Sequence, residues 1–157
     1  MVKGKKFIIL GIVFSLVVCS GDLLAKERKN FEFNLSAVGV TIEDEGLWIV
    51  PGGKVSLAYY PMKEVGIELG GIIVIPGGVF FSGNVVVSPF NLQRIIPYAT
   101  GGLWTTTAGG FGWNIGAGLK IKLIENLAIR AEYRRWAVFE EFEWGLNFIS
   151  FGLSYFF

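Results

Sequence analysis

The chain has no histidine and a single cysteine among its 157 residues. Without histidine, the side chain most often used as a general base and as a transition-metal ligand is missing. Cys19 has no partner in the chain, so an internal disulfide and a cysteine-built metal site are both excluded. Long apolar runs are absent too: none reaches the roughly 20 residues that a membrane-spanning helix needs. Charge is sparse and balanced, with 14 Lys and Arg against 13 Asp and Glu. That balance offers no electrostatic ground for nucleic acid as a partner. The glycine runs Gly109-Gly110-Phe111-Gly112 and Gly116-Ala117-Gly118 lack the Lys-Ser/Thr or strand-to-helix setting of a phosphate loop.

What the chain does have is apolar surface. Hydrophobic residues make up 52% of it and aromatics 15%, and the mean hydropathy is +0.54. Without a spanning helix, that content leaves two options: a greasy soluble core, or strands whose outer faces touch lipid. The 22 glycines are about twice the usual share. They are scattered through strand-like segments, so neither a linker nor a collagen-like repeat accounts for them.

Residues 1–25 have the zones of an export leader. Lys3, Lys5 and Lys6 precede the apolar stretch Phe7–Val18, which is too short to cross a bilayer. Cleavage after Ala25 or after Ser20 fits the small residues that follow. Lipidation at Cys19 is the competing outcome, although Val18 is a poor residue just before it. The domain organisation expected is therefore a cleaved signal peptide, 1–25, and a single domain, 26–157.

From Asn30 onward the hydrophobic period is two. The predicted strands are 31–41, 53–61, 65–75, 83–90, 95–105, 110–123, 127–138 and 144–157. Tight connections are expected at 61–64, 91–94 and 124–126. Longer ones are expected at 42–52, 76–82, 106–109 and 139–143, alternating with the tight ones. In the seventh strand Leu127, Ile129, Ala131 and Tyr133 share one face, and Arg130, Glu132 and Arg134 share the other. In a soluble sandwich the charges would face water; in a small barrel they would fill the lumen. The second faces of the neighbouring strands decide between these. They carry glycine and serine, as in Asn114, Gly116, Gly118 and Ser150, Gly152, Ser154, which suits the tight interior of an eight-stranded barrel. The fold class expected is all-β: an eight-stranded antiparallel up-and-down transmembrane β-barrel. Pro89 and Pro97 weaken the ladder of strands four and five.

The chain ends Ser150-Phe151-Gly152-Leu153-Ser154-Tyr155-Phe156-Phe157. Ser150, Gly152, Tyr155 and Phe157 resemble the terminal assembly signal of bacterial outer-membrane proteins. Residues 97–103, 112–122 and 128–134 also resemble the small OmpX/OmpA-type barrel families, clearly over the second half of the chain and more weakly over 30–94. The resemblance implies a monomeric outer-membrane barrel without a periplasmic domain. It also implies contact with outer-membrane lipid and lipopolysaccharide, and recognition by the barrel-assembly machinery through an added strand. Phe31, Tyr59, Tyr98, Tyr155 and Phe157 are expected at one interface girdle. Trp104, Trp113, Tyr133 and Trp144 are expected at the other.

The candidate site is a lumen charge network of Glu68, Lys120, Lys122, Arg130, Glu132 and Arg134, with Glu32 beside it. Its structural reading is a filled barrel; its functional reading is a polar path for small solutes. No cofactor or metal is expected. The acidic segments Glu43-Asp44-Glu45 and Glu140-Glu141-Phe142-Glu143 have no EF-hand spacing. Catalysis is not expected either, because adjacent carboxylates such as Glu140 and Glu141 do not aim at one point. Arg135 shares the parity of Tyr133, which would let it reach lipid phosphates. The role expected is structural or surface interaction (envelope integrity, adhesion or scaffold). A small porin-like or hydrophobic-solute channel is the alternative.

Overall fold

A computed structural model describes residues 30–42, 50–90, 92, 94–139 and 145–157. It contains eight strands: β1 (Phe31–Ile42), β2 (Val50–Tyr59), β3 (Val65–Val74), β4 (Gly78–Val87), β5 (Ile95–Thr106), β6 (Phe111–Ile124), β7 (Leu127–Val138) and β8 (Gly145–Phe156). Each pairs antiparallel with the next, and β8 returns to β1, so the sheet closes. The fold is an all-β, eight-stranded up-and-down barrel, as the alternation predicts. Closure leaves no unpaired edge. The leader 1–25, the acidic segments 43–45 and 140–143, and Trp144 lie outside the described residues.

Alternation sets the in-out pattern, and in this barrel it is inverted relative to a soluble protein. Leu35, Leu69, Leu103, Ile115, Leu119, Ile149, Phe151 and Leu153 face outward and are exposed, while Glu32, Glu68, Lys120, Arg130 and Arg134 are buried. Successive strands repeat this, so the apolar residues form a continuous belt. A soluble monomer does not usually expose an apolar surface of that extent.

Two strands depart from expectation: β2 runs from Val50 to Tyr59 rather than over 53–61, and β4 is displaced at both ends. β4 starts at Gly78, so the long connection expected at 76–82 is a tight turn instead. Pro76, Gly77 and Gly78 are turn residues, but Gly78 adopts φ 107°, open to glycine at little cost, and the strand resumes at once. The Ile75–Pro76 bond is cis. At the other end β4 stops at Val87, because Pro89 cannot donate to a ladder. The link to β5 is therefore longer than the turn expected at 91–94, with Leu92 bonded to Ile95, the first residue of β5, at 3.0 and 2.9 Å. Tight and longer links consequently do not alternate as predicted. Pro97 sits within β5, paired with Leu119, and does not interrupt the ladder.

The interior has two layers. Toward the end where the chain enters and leaves, it is charged. Toward the opposite, loop-bearing end it is apolar: Val38, Val40, Ile72, Val74, Phe80, Trp104, Trp136 and Phe148 form one cluster. Trp104 and Trp136 stack with ring centroids 5.3 Å apart, and Phe148 lies 4.6 Å from Trp136. Phe80 meets Trp136 edge-on at 5.6 Å, a favourable quadrupole geometry.

Candidate functional site

The charged layer is built from five strands. Inward parity delivers Glu32 from β1, Lys54 from β2, Glu68 from β3, Lys120 from β6, and Arg130, Glu132 and Arg134 from β7; all are nearly fully buried. Arg130 is central. Its Nη1 lies 2.7 Å from Glu68 Oε2 and 3.7 Å from Glu32 Oε1, its Nη2 pairs with Glu132, and its Nε donates to the Tyr98 hydroxyl at 2.7 Å. Arg134 reaches Glu68 Oε1 at 2.5 Å and Glu132 Oε1 at 2.7 Å. Lys54 bridges the same two carboxylates, at 3.3 Å from Glu68 and 2.8 Å from Glu132. Lys120 pairs with Glu32 at 2.5 Å and lies over the Tyr98 ring, 4.9 Å from its centroid.

Two phenols complete the layer. Tyr98 donates to Glu132 Oε2 at 2.7 Å, and Tyr60 donates to Glu32 Oε2 at 2.6 Å while accepting from Lys120 at 2.7 Å. Burial and the adjoining Glu32 carboxylate push the Tyr60 hydroxyl far above the usual phenol range, so it stays a donor. Beside this layer, Asn34 donates to Ser56 at 3.2 Å and accepts from Ser154 at 2.5 Å, lining the β1, β2 and β8 wall with small polar groups.

Of the expected network, Glu68, Lys120, Arg130, Glu132 and Arg134 are brought together. Lys122 is not: it has inward parity but lies beyond Lys120, partly exposed and outside the cluster, where a register shift precedes the β6–β7 turn. Lys54, Tyr60 and Tyr98 belong to the network and were missed. Lys54 shares its face with Ser56 and Ala58, so strand parity alone would have found it.

Trp104 and Tyr98 are corrections of a different kind. Both were expected at an interface girdle, yet both are buried in the lumen at 5% and 3% exposure. They share the inward face of β5 with Thr100 and Gly102, and each lies against a glycine of β6. A Cβ on Gly112 would sit 2.8 Å from the Trp104 ring, and one on Gly118 would collide with the Tyr98 hydroxyl. The Trp104 indole donates to the carbonyls of Trp113 and Ala137 at 3.0 and 3.2 Å.

Trp113 and Tyr133 do face outward. The Tyr133 hydroxyl donates to Asn147 at 2.7 Å. Outward aromatic pairs stand near both ends, Phe31 with Tyr59 at 5.0 Å and Phe111 with Phe139 at 5.1 Å. In the C-terminal segment, Ser150 and Gly152 point into the lumen, Tyr155 points outward opposite Phe33 and Leu127, and Phe157 follows the last residue of β8. Both edges of β8 are paired in the closed barrel.

Chemically, the layer is an ionic filling. Each carboxylate meets at least two cations, so none is poised to take a proton from a substrate. Such pairs offset the cost of burying charge only when their geometry is good and the remaining lone pairs are met.

No family model matches the sequence, and no curated relative matches it either. Solved structures do match. A de novo designed transmembrane β-barrel aligns at TM-score 0.64 and 17% identity, over 84% of this chain and 99% of that one. The N-terminal β-barrel domain of Pseudomonas aeruginosa OprF aligns at 0.63 and 20%, over 82% and 98%. The chain has the fold of small eight-stranded outer-membrane barrels. Neisserial surface protein A aligns at 0.65 and 13%, over 82% and 97%. A fold shared by natural and designed barrels carries no activity by itself.

Proposed function

We propose that the chain is an exported outer-membrane barrel with a structural or surface-interaction role, its lumen closed to solutes. The observation that carries this is the double filling of the lumen, an ionic layer followed by an aromatic one. Eight strands enclose an interior that side chains just fill, and each layer blocks ions by a different means. The ionic layer occupies the path with fixed pairs, and the aromatic layer fills the rest with rings and aliphatic side chains whose carbon cannot replace an ion's water. The outward apolar belt supports placement in a bilayer, since lipid is the solvent that makes such a surface favourable. The surface placement in the name of Neisserial surface protein A agrees with this role.

Planar-bilayer recording tests the closed lumen. The folded barrel is expected to show no steady conductance. Steady current that changes on Arg130→Gln or Arg134→Gln would overturn the reading in favour of a small-solute channel. The partners follow from the same reading. Lipid and lipopolysaccharide meet the belt, Arg135 reaches lipid phosphates, and the assembly machinery reads Ser150, Gly152, Tyr155 and Phe157 before β8 closes onto β1. Residues 1–25 serve as the export leader; the intact mass of the mature chain distinguishes cleavage after Ala25 or Ser20 from lipidation at Cys19.

A further inference from the structure

Between the two layers, six buried polar atoms have no hydrogen-bond partner in the protein: Asn84 Oδ1, Thr100 Oγ1, both Oδ1 and Nδ2 of Asn114, Arg134 Nη1 and Trp136 Nε1. The other orphaned atoms of the lumen, Glu32 Oε1, Glu68 Oε2, Arg130 Nη1 and Arg134 Nε, each face an opposite charge within an ion pair. The six have no such compensation. Their side chains are at most 4% exposed.

The ladder makes them neighbours around two glycines. One inward row runs Asn84, Gly102, Asn114, Trp136, and the next runs Thr100, Gly116, Arg134. A Cβ on Gly102 would lie 2.7 Å from Asn84 Oδ1, and one on Gly116 would lie 2.6 Å from Arg134 Cγ. Both side chains therefore lean over positions that have none of their own. Turning the Asn114 amide exchanges its oxygen and nitrogen and satisfies neither. Buried polar groups are paired in the great majority of cases, so unpaired groups side by side point to a missing guest.

Charge selects the guest. Among the described lumen residues, four buried cations (Lys54, Lys120, Arg130 and Arg134) face three buried carboxylates (Glu32, Glu68 and Glu132). An excess positive charge in a low-dielectric interior is costly until something neutralises it. Donors also predominate among the free groups: Arg134 Nη1, Trp136 Nε1, Asn114 Nδ2 and the Thr100 hydroxyl. The Asn84 amide can join them when turned, its oxygen then accepting from Ser82. We propose that the side chains around Gly102 and Gly116 hold one small monovalent anion of the halide class. Enclosed water is the competing occupant.

Both ends of the lumen are blocked, so the anion enters as the barrel folds. The test folds the full barrel into detergent from urea in sodium chloride, sodium bromide or sodium gluconate at equal ionic strength. The Trp136 indole N–H resonance, assigned through Trp136→Phe, is expected to differ among the three salts. The Trp104 indole, already bonded to two carbonyls, is expected to stay in place. Crystals grown in bromide are expected to show an anomalous peak beside Arg134 Nη1 and Asn114. In Asn114→Leu, which retains heat-modifiable migration if folded, the salt dependence and the peak are both expected to disappear. A Trp136 resonance identical in all three salts overturns the proposal, as does density at the site without anomalous signal, which marks water. Unaltered salt dependence in folded Asn114→Leu also overturns it, because it removes the assigned ligand.

Discussion

The two ends of the lumen are filled by opposite chemistry beneath the same apolar exterior. In the charged half, Lys120 and Glu32 are 88 residues apart in sequence, Lys54 and Glu132 are 78 apart, and Arg134 and Glu68 are 66 apart. Those contacts are directional, so each strand must deliver its charge to one place. In the aromatic half, Phe80, Trp104, Trp136 and Phe148 pack by shape, and contact among them tolerates small displacements. The contrast shows that strand alternation specifies which residues face inward without specifying how they cohere. Ionic filling gives register and uniqueness at a desolvation cost, whereas apolar filling gives stability through volume.

This difference can be broken at either end. Arg130→Met is expected to have the largest effect, about 3–5 kcal/mol of folding stability, because Glu68 and Glu132 lose their central cation in a dry interior. Urea titration of the barrel folded in detergent or lipid measures it. Replacing Glu132 by Met in the same chain should recover part of the loss, and a double variant weaker than the additive sum would contradict this account. Trp136→Ala is expected to cost about 3 kcal/mol through the cavity it leaves beside Phe80, Trp104 and Phe148. Alone it should not open the barrel to ions, because the charged layer remains; steady current from this variant would show that the aromatic layer is the real barrier. Gly116→Ala is the mildest, about 1–3 kcal/mol, since the new methyl group presses on the Tyr133 carbonyl oxygen as well as on Arg134 and the chain can give only slightly. An effect below that range would mean that the β6–β7 ladder and Arg134 both yield more readily than their pairing implies.

Much of the charged layer is legible in the sequence. Arg130, Glu132 and Arg134 recur at every second position of a strand whose other face is apolar, and the glycines opposite them signal a crowded interior. Lys54 was equally legible: it lies within the strand expected at 53–61, on the same parity as Ser56 and Ala58. Lys122 was included on parity alone, which does not register that a strand is ending. Trp104 and Tyr98 were harder. An aromatic near a strand end fits a girdle by depth, but Tyr98 and Trp104 share the inward parity of Thr100 and Gly102, and a glycine as cross-strand partner gives each ring its room. That partner is Gly112 for Trp104 and Gly118 for Tyr98. The early start of β4 was hidden for a related reason: Pro76-Gly77-Gly78 marks a turn but not how soon the chain straightens after it.

By itself, the sequence determined the fold class, the in-out alternation and the charges destined for the lumen, because a period of two is a local property of each strand. Only the tertiary structure decided which strands meet across the lumen, and with that the division into an ionic and an aromatic layer and the cluster of unpartnered groups between them. Those features depend on register around a closed sheet, where every pairing is constrained by all the others.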